Sequence, residues 1–201
     1  GTAGVNIYKN NTDGKGASYG THENYLMRRE TPFSEITHHL IPFFVARQVM
    51  CGAGRVGIGQ DSAQAGFQIT QRSDFFEVEV GLETTLKRPI INTRDEPHAV
   101  ADLYRRLHVI LGDANQCDVA GLLKMGTTTL VLAMIQAHAL SVHRSVRKPG
   151  TTLHAVPHPP LLQHRAAHQD GRPIAALTPP RGSSHPHDPI LPSLPPGRQP
   201  H

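Results

Sequence analysis

All ten aromatic side chains of this chain, six phenylalanines and four tyrosines, lie in the first 104 of its 201 residues. The stretch beyond Ala137 holds 13 of the 17 prolines and 9 of the 14 histidines. Aromatic rings supply much of the apolar area that a core buries, whereas prolines interrupt helices and strands. We therefore predict a folded core within residues 1–137, a poorly ordered stretch over 138–178 and a disordered tail over 179–201.

The net charge of +4 belongs to the second part of the chain. Residues 1–137 carry 13 Lys and Arg against 14 Asp and Glu, a net charge of −1, whereas residues 138–201 carry 7 against 2, a net charge of +5. The positive charge therefore lies where no ring could stack on a base and where Lys and Arg do not cluster. This distribution disfavours a nucleic-acid partner.

Membrane and secretion signals are weak in this sequence. No apolar run approaches the length of a membrane span, and two cysteines, Cys51 and Cys117, are too few for a disulfide framework. We therefore expect a cytoplasmic chain with no membrane partner. Its start at Gly1, directly before strand-like sequence, is typical of a fragment that begins inside a domain.

The spacing of apolar residues predicts two helices among several short strands. Thr31, as a cap, and Pro32 are typical of a helix start, and Gly52 is typical of a helix end. The predicted core residues of this helix are Phe33, Ile36, Leu40, Phe43 and Phe44, and those of a second helix over 118–136 are Val119, Leu122, Leu123, Leu130 and Met134. Strands are predicted within 18–28, 67–92 and 105–111, and this mixture indicates an α+β fold.

Residues 52–57 match the G-x-G-x-x-G pattern of dinucleotide-binding loops. That motif needs a strand before the glycines and a helix after them, because the phosphates bind at the helix N-terminus. Here the glycines follow a predicted helix. We interpret them as a turn that stops the helix.

Two predicted strands carry an imidazole beside a second polar group. His22 and Asn24 share one face of the first strand, and Arg106 and His108 share one face of a later strand, because side chains alternate along a strand. Imidazole nitrogens can bind a metal, and amide and guanidinium groups can bind a nucleotide. The alternative is a set of isolated polar residues on half-exposed strands, since periodicity does not show that the strands are adjacent.

The segment 88–98 carries charges of both signs at a predicted strand end and turn, and its Arg94 together with Arg72 offers two guanidinium groups. Each guanidinium could hold a carboxylate through two parallel hydrogen bonds. The alternative is a structural ion-pair network with Asp74, Asp95 or Glu96. The residues alone leave both interpretations open.

Several segments resemble a known enzyme family. Residues 9–13 (KNNTD), 18–20 (SYG), 22–26 (HENYL), 91–99 (INTRDEPHA) and 104–110 (YRRLHVI) resemble the family of Dop, which deamidates the ubiquitin-like modifier Pup, and PafA, the Pup ligase. Residues 13–17, 54–59 and 71–88 are more similar to the Dop branch. The resemblance covers the chain from about Val5 to Ile135.

The resemblance implies a partial glutamine-synthetase-like fold, a mostly antiparallel sheet with packed helices, that uses ATP and Mg²⁺. It implies Pup and pupylated proteins as partners, and hydrolysis at the side chain of the C-terminal residue of Pup as the reaction, which is deamidation or depupylation. The family positions fall on six residues: metal ligands on His22 and His108, ATP contacts on Asn24 and Arg106, and carboxylate or phosphate contacts on Arg72 and Arg94.

Two family segments are absent from these 201 residues. One is an opening G-x-E-x-E-Y-G segment that contributes to the metal and ATP site, and the other is a catalytic aspartate just before an H-P-E-Y segment. Without them we expect a Dop-like chain that is inactive as it stands. A non-catalytic Pup-binding remnant and a PafA-like ligase are the alternative functions.

Overall fold

The computed structural model describes residues 4–140, 146, 148–155, 165–167 and 173–175. The predicted disordered tail, 179–201, lies outside these residues, as does much of the 138–178 stretch. The elements, in chain order, are β1 Glu23–Arg28, α1 Phe33–Cys51, β2 Arg55–Ile58, β3 Gln64–Gln68, β4 Phe76–Gly81, β5 Arg88–Asn92, β6 Tyr104–Val109, α2 Asp118–Gln136, α3 Pro149–Ala155, β7 Arg165–Ala167 and β8 Pro173–Ala175.

A four-stranded sheet in the order β1-β6-β5-β4 is the centre of the fold. β6 pairs antiparallel with β1 and with β5, whereas β4 and β5 are parallel. The strand pairs β2–β3 and β7–β8 form two separate antiparallel sheets. The predicted α+β fold with a mostly antiparallel sheet is therefore confirmed.

The core lies between this sheet and the helices. Tyr25 and Met27 of β1 point into it, and Asn24 and Leu26 point to the opposite face. Apolar residues of α1 cover the inward face, among them Ile36, Leu40 and Phe44, which are fully buried as the sequence predicts. One face of the sheet is thus left for polar chemistry.

The start and end of α1 have different physical causes from those expected. Pro32 occupies the cap position and no side chain caps the helix, so the prediction of Thr31 as the cap is wrong. Gly52 follows the last helical residue with an extended backbone, and a Cβ there would lie 2.2 Å from the carbonyl oxygen of Ile69. The glycine therefore permits the chain to leave α1 against a neighbouring backbone. The predicted helix end at Gly52 is confirmed, but residues 55–57 lie in β2 and not in a turn.

The bounds predicted for α2 are correct, but its predicted core face is wrong. The buried residues are Lys124, Thr128, Leu132 and Ile135. By contrast, the predicted core residues Val119, Leu122, Leu123 and Leu130 are 63%, 72%, 45% and 63% exposed. By length and composition α2 could also cross a membrane, contrary to the expectation that no apolar run approaches this length, although a core helix of a soluble protein passes the same test.

A buried ion pair explains why polar side chains of α2 face inward. Both carboxylate oxygens of Glu23 accept hydrogen bonds from Arg47, at 2.7 and 2.9 Å, and neither side chain is exposed. Arg47 also donates to the Thr128 hydroxyl, and the Tyr25 hydroxyl donates to Glu23 at 2.6 Å. This cluster joins β1, α1 and α2. Because Glu23 is held inward, its neighbours in the sequence are held on the opposite face.

Candidate functional site

The open face of β1 and β6 brings the two predicted polar pairs together. Asn24 lies opposite His108, and Leu26 lies opposite Arg106. Directly paired residues of antiparallel strands have side chains on the same face. The two strand faces predicted from alternation therefore form one surface, although β1 begins at Glu23 and not within 18–22, so that His22 directly precedes the strand.

The two imidazoles are in contact on this surface. His22 Nδ1 lies 3.0 Å from His108 Nε2, and the ring centroids are 5.1 Å apart. Burial lowers the pKa of His108 to about 4, helped by the charges of His22, Arg106 and Arg94. Burial and the charges of Arg72 and Arg94 also lower the pKa of His22. Both rings are therefore neutral at neutral pH, the form that can bind a metal.

The pair fits part of a metal site. Its nitrogen separation of 3.0 Å is about that of two neighbouring ligands held at roughly 2.1 Å from one cation. No cluster of three or more His, Cys, Asp or Glu suited to a metal occurs in the described part of the chain. Because Mg²⁺ prefers oxygen ligands, the two imidazoles would complete a Mg²⁺ shell only with oxygens from another source.

Arg106 is held beside His108 by acidic residues. Its guanidinium lies 2.6 Å from Glu96, and its main-chain N–H donates to Asp95 at 3.1 Å. Asp95 also pairs with Arg29 at 2.8 Å. The ion-pair network considered for this segment thus exists, but with Arg29 and Arg106 as the cations.

Arg72 is a buried structural cation in this structure. Its guanidinium donates to the carbonyl oxygens of Ile110 and Gly112 and to the hydroxyl of Ser18. It also packs against Gly20, where a Cβ would lie 2.1 Å from the guanidinium carbon. Burial lowers the pKa of Arg72 to about 10, although the Asp113 carboxylate opposes this. These contacts tie the segment before β1 to the segment after β6.

Arg94 is the exposed member of the predicted arginine pair. Its side chain forms no ion pair or hydrogen bond among the described residues. Its charge nevertheless lowers the pKa of both His22 and His108, which indicates that it lies near the imidazoles. Of the two arginines, Arg94 is the one that could reach a ligand on this face.

Two further buried polar residues were not singled out from the sequence: Asn92 contacts the surface, and Asp113 binds neighbouring main-chain segments. Asn92 Oδ1 lies 3.3 Å from His108 Nδ1. Buried Asp113 accepts the main-chain N–H groups of Ala53 and Gln71, at 2.8 and 2.9 Å, and burial raises its pKa. The available signal for Asn92 was its position at the end of a predicted strand, where it is the last residue of β5.

Comparison with known proteins identifies the family. Residues 2–182 match the family model described as Pup-ligase protein. The chain belongs to the Pup-ligase family. The match extends beyond Ile135, where the recognised motifs end.

Members of this family with high identity include depupylases and ligases. The chain is 65% identical over 173 residues to the depupylase of Acidothermus cellulolyticus, covering 86% of this chain and 34% of that protein. It is 58% identical over 181 residues to the Pup deamidase/depupylase of Mycobacterium tuberculosis, covering 88% and 36%. It is 46% identical over 173 residues to the Pup–protein ligase of Bifidobacterium dentium, covering 86% and 33%. The chain thus spans about a third of the length of these relatives.

Two solved family structures share the fold. The Pup ligase PafA in complex with ADP aligns with a TM-score of 0.74 at 40% identity, over 87% of this chain and 38% of that one. The complex between Pup and PafA aligns with a TM-score of 0.72 at 41% identity, over 83% and 33%. The expected family resemblance is therefore confirmed, and identity is higher to the depupylases than to the ligase.

Proposed function

We propose that this chain carries part of the nucleotide- and metal-binding surface of a Dop-like, ATP-dependent Pup deamidase and depupylase of the cytoplasm. The observation that carries the proposal is the contact between His22 and His108 beside Asn24 and Arg106 on one open sheet face. The high identity to depupylases supports this branch over the ligase branch.

Each group on the surface has a chemical role under this proposal. His22 and His108 would hold Mg²⁺ through neutral ring nitrogens, and the cation would supply positive charge that stabilises phosphate oxygens. Asn24 and Arg106 bind ATP, with the Arg106 guanidinium exchanging its exposed partner Glu96 for phosphate. Arg94 holds a carboxylate of the C-terminal residue of Pup, and Arg72 acts mainly by fixing the loop that carries His22.

The 201-residue chain alone is expected to be inactive. Its described residues bring two imidazoles together and no larger cluster of metal-binding side chains. A cation held by two ligands is bound weakly, and ATP–Mg²⁺ would be bound weakly with it. We expect no release of protein from a purified Pup conjugate with ATP and Mg²⁺, measured by gel, under conditions where a full-length depupylase completes the reaction. Measurable release by this chain alone would contradict the expectation.

A non-catalytic Pup-binding role is the second candidate, because Arg94 is exposed and has no ion-pair partner among the described residues. We expect Arg94→Ala to weaken binding of fluorescently labelled Pup about 10- to 150-fold, the equivalent of one charged hydrogen bond. Pup that ends in an amidated alanine, which has neither a side-chain nor a main-chain carboxylate, should bind the unchanged chain and the variant equally. Arg28→Ala, which removes an exposed guanidinium paired with Glu30, is the matched control. Equal binding by the Arg94 and Arg28 variants would exclude the carboxylate contact.

A further inference from the structure

Asn92, the last residue of β5, lies opposite His108 of β6 and is 1% exposed. Its Nδ2 donates to the carbonyl oxygens of Leu82 and Glu83, at 3.1 and 3.2 Å. Its Oδ1 accepts the main-chain N–H of Arg94 at 2.9 Å. A flipped amide would place oxygen against two carbonyl oxygens and NH₂ against an N–H. The surrounding backbone therefore fixes the orientation of this amide.

That orientation determines which nitrogen of His108 carries the proton. Asn92 Oδ1 can only accept a hydrogen bond, and it faces His108 Nδ1 at 3.3 Å. A neutral imidazole has one N–H, so His108 is protonated at Nδ1 and keeps a lone pair on Nε2. This Nε2 is the atom that lies 3.0 Å from His22.

We propose that Asn92 is a positioning residue, which holds His108 in the Nδ1–H tautomer so that its Nε2 lone pair is directed at the space shared with His22. His22 has no such partner: among the described residues its ring bonds to His108 alone. In the metal-free protein its Nδ1–H therefore donates to His108. The inference rests on the proposed function only in taking this space as a metal site. At such a site His108 is already in the tautomer that binds a metal through Nε2, whereas His22 must first move its proton from Nδ1 to Nε2.

The tautomers can be measured without metal, nucleotide or Pup. Two-bond nitrogen–proton NMR correlations on the full chain with ¹⁵N-labelled histidine, near neutral pH, distinguish protonated from unprotonated ring nitrogens. The signals missing from His108→Gln and His22→Gln spectra provide the assignments. We expect Nδ1–H for both rings. Protonation of His108 at Nε2 would overturn the proposal whether or not the chain is a depupylase.

Two substitutions separate positioning from a structural role. Asn92→Asp and Asn92→Leu both lose the two Nδ2 hydrogen bonds, but only aspartate keeps an acceptor facing His108. We expect His108 to stay in the Nδ1–H form in Asn92→Asp and to shift towards the Nε2–H form in Asn92→Leu. If both variants keep the original tautomer of His108, or both lose it, the proposal is overturned. A merely structural role of Asn92 would affect the two variants alike, because both lose the Nδ2 hydrogen bonds.

A diamagnetic cation tests the difference between the two histidines. Zn²⁺ is suitable because imidazole binds it well. On addition of Zn²⁺ to the unchanged chain, the His22 proton should move from Nδ1 to Nε2, and His108 should keep its tautomer. The Zn²⁺ concentration for half-conversion should rise about 10-fold or more in Asn92→Leu, as for lost partners of metal-ligating histidines. A His22 ring that stays protonated at Nδ1 in saturating Zn²⁺ would overturn the assignment.

Discussion

At the scale of single residues, the most consequential contact is the fully buried pair of Glu23 and Arg47. We expect Glu23→Gln to lower the free energy of unfolding by roughly 3–5 kcal/mol in urea titrations, because it leaves the Arg47 guanidinium buried beside a neutral group. Glu30→Gln is the matched control, since Glu30 pairs with Arg28 through side chains that are 73% and 67% exposed. That change should cost less than about 1 kcal/mol. Equal losses in the two variants would show that the Glu23 pair is not desolvated.

The sequence predicted which residues share a strand face, but it did not predict which residues contact each other across the sheet. Alternation correctly placed Arg106 and His108 on one face, and it placed His22 beside Asn24, where the contact of His22 with His108 confirms it. It could not show that His22 and His108 touch, because they are 86 residues apart and meet only through the register of β1 and β6. Distance along the chain also hid the partner of Asp95, which is Arg29, 66 residues away. Such contacts depend on strand register, which no local pattern specifies.

At the scale of elements, α2 shows where an apolar pattern misleads. Its bounds follow from local sequence, but the face turned inward is set by the buried pair, which needs Thr128 as a polar partner. Lys124 is buried on the same face and donates to the carbonyl oxygen of Asp113 at 2.6 Å. The sequence pattern alone assigned the leucines to the core, because it contained no information about a desolvated charge opposite the helix.

The two faces of α2 should respond differently to truncation. We expect Leu132→Ala, at a residue that is 4% exposed, to cost roughly 2–5 kcal/mol of unfolding free energy. Leu122→Ala, at a residue that is 72% exposed, should change it by no more than about 0.5 kcal/mol. Urea unfolding of the two variants, which make the same chemical change, provides the comparison. A larger loss for Leu122→Ala would restore the face predicted from the sequence.

At the scale of the whole molecule, the compositional boundary near Ala137 does not coincide with the end of packing. α3 lies beyond that boundary and contacts α1 and β4. Its Leu153 is fully buried in the core, and its His154 ring lies 2.6 Å from the carbonyl oxygen of Phe76. Composition could identify where aromatic residues end and acids become rare, but not that a short helix in proline-rich sequence returns to the sheet.

The contribution of α3 to the whole fold can be tested in the full chain. Leu153→Ala should lower the free energy of unfolding by roughly 2–5 kcal/mol, because the vacated volume lies inside the core shared with α1 and β4. Thr151→Ala, at an exposed residue of the same helix, should change it by no more than about 0.5 kcal/mol. A fold that ended at residue 137 would be insensitive to both changes. The Leu153 variant therefore decides, in urea titrations followed by circular dichroism, whether the cooperative unit includes α3.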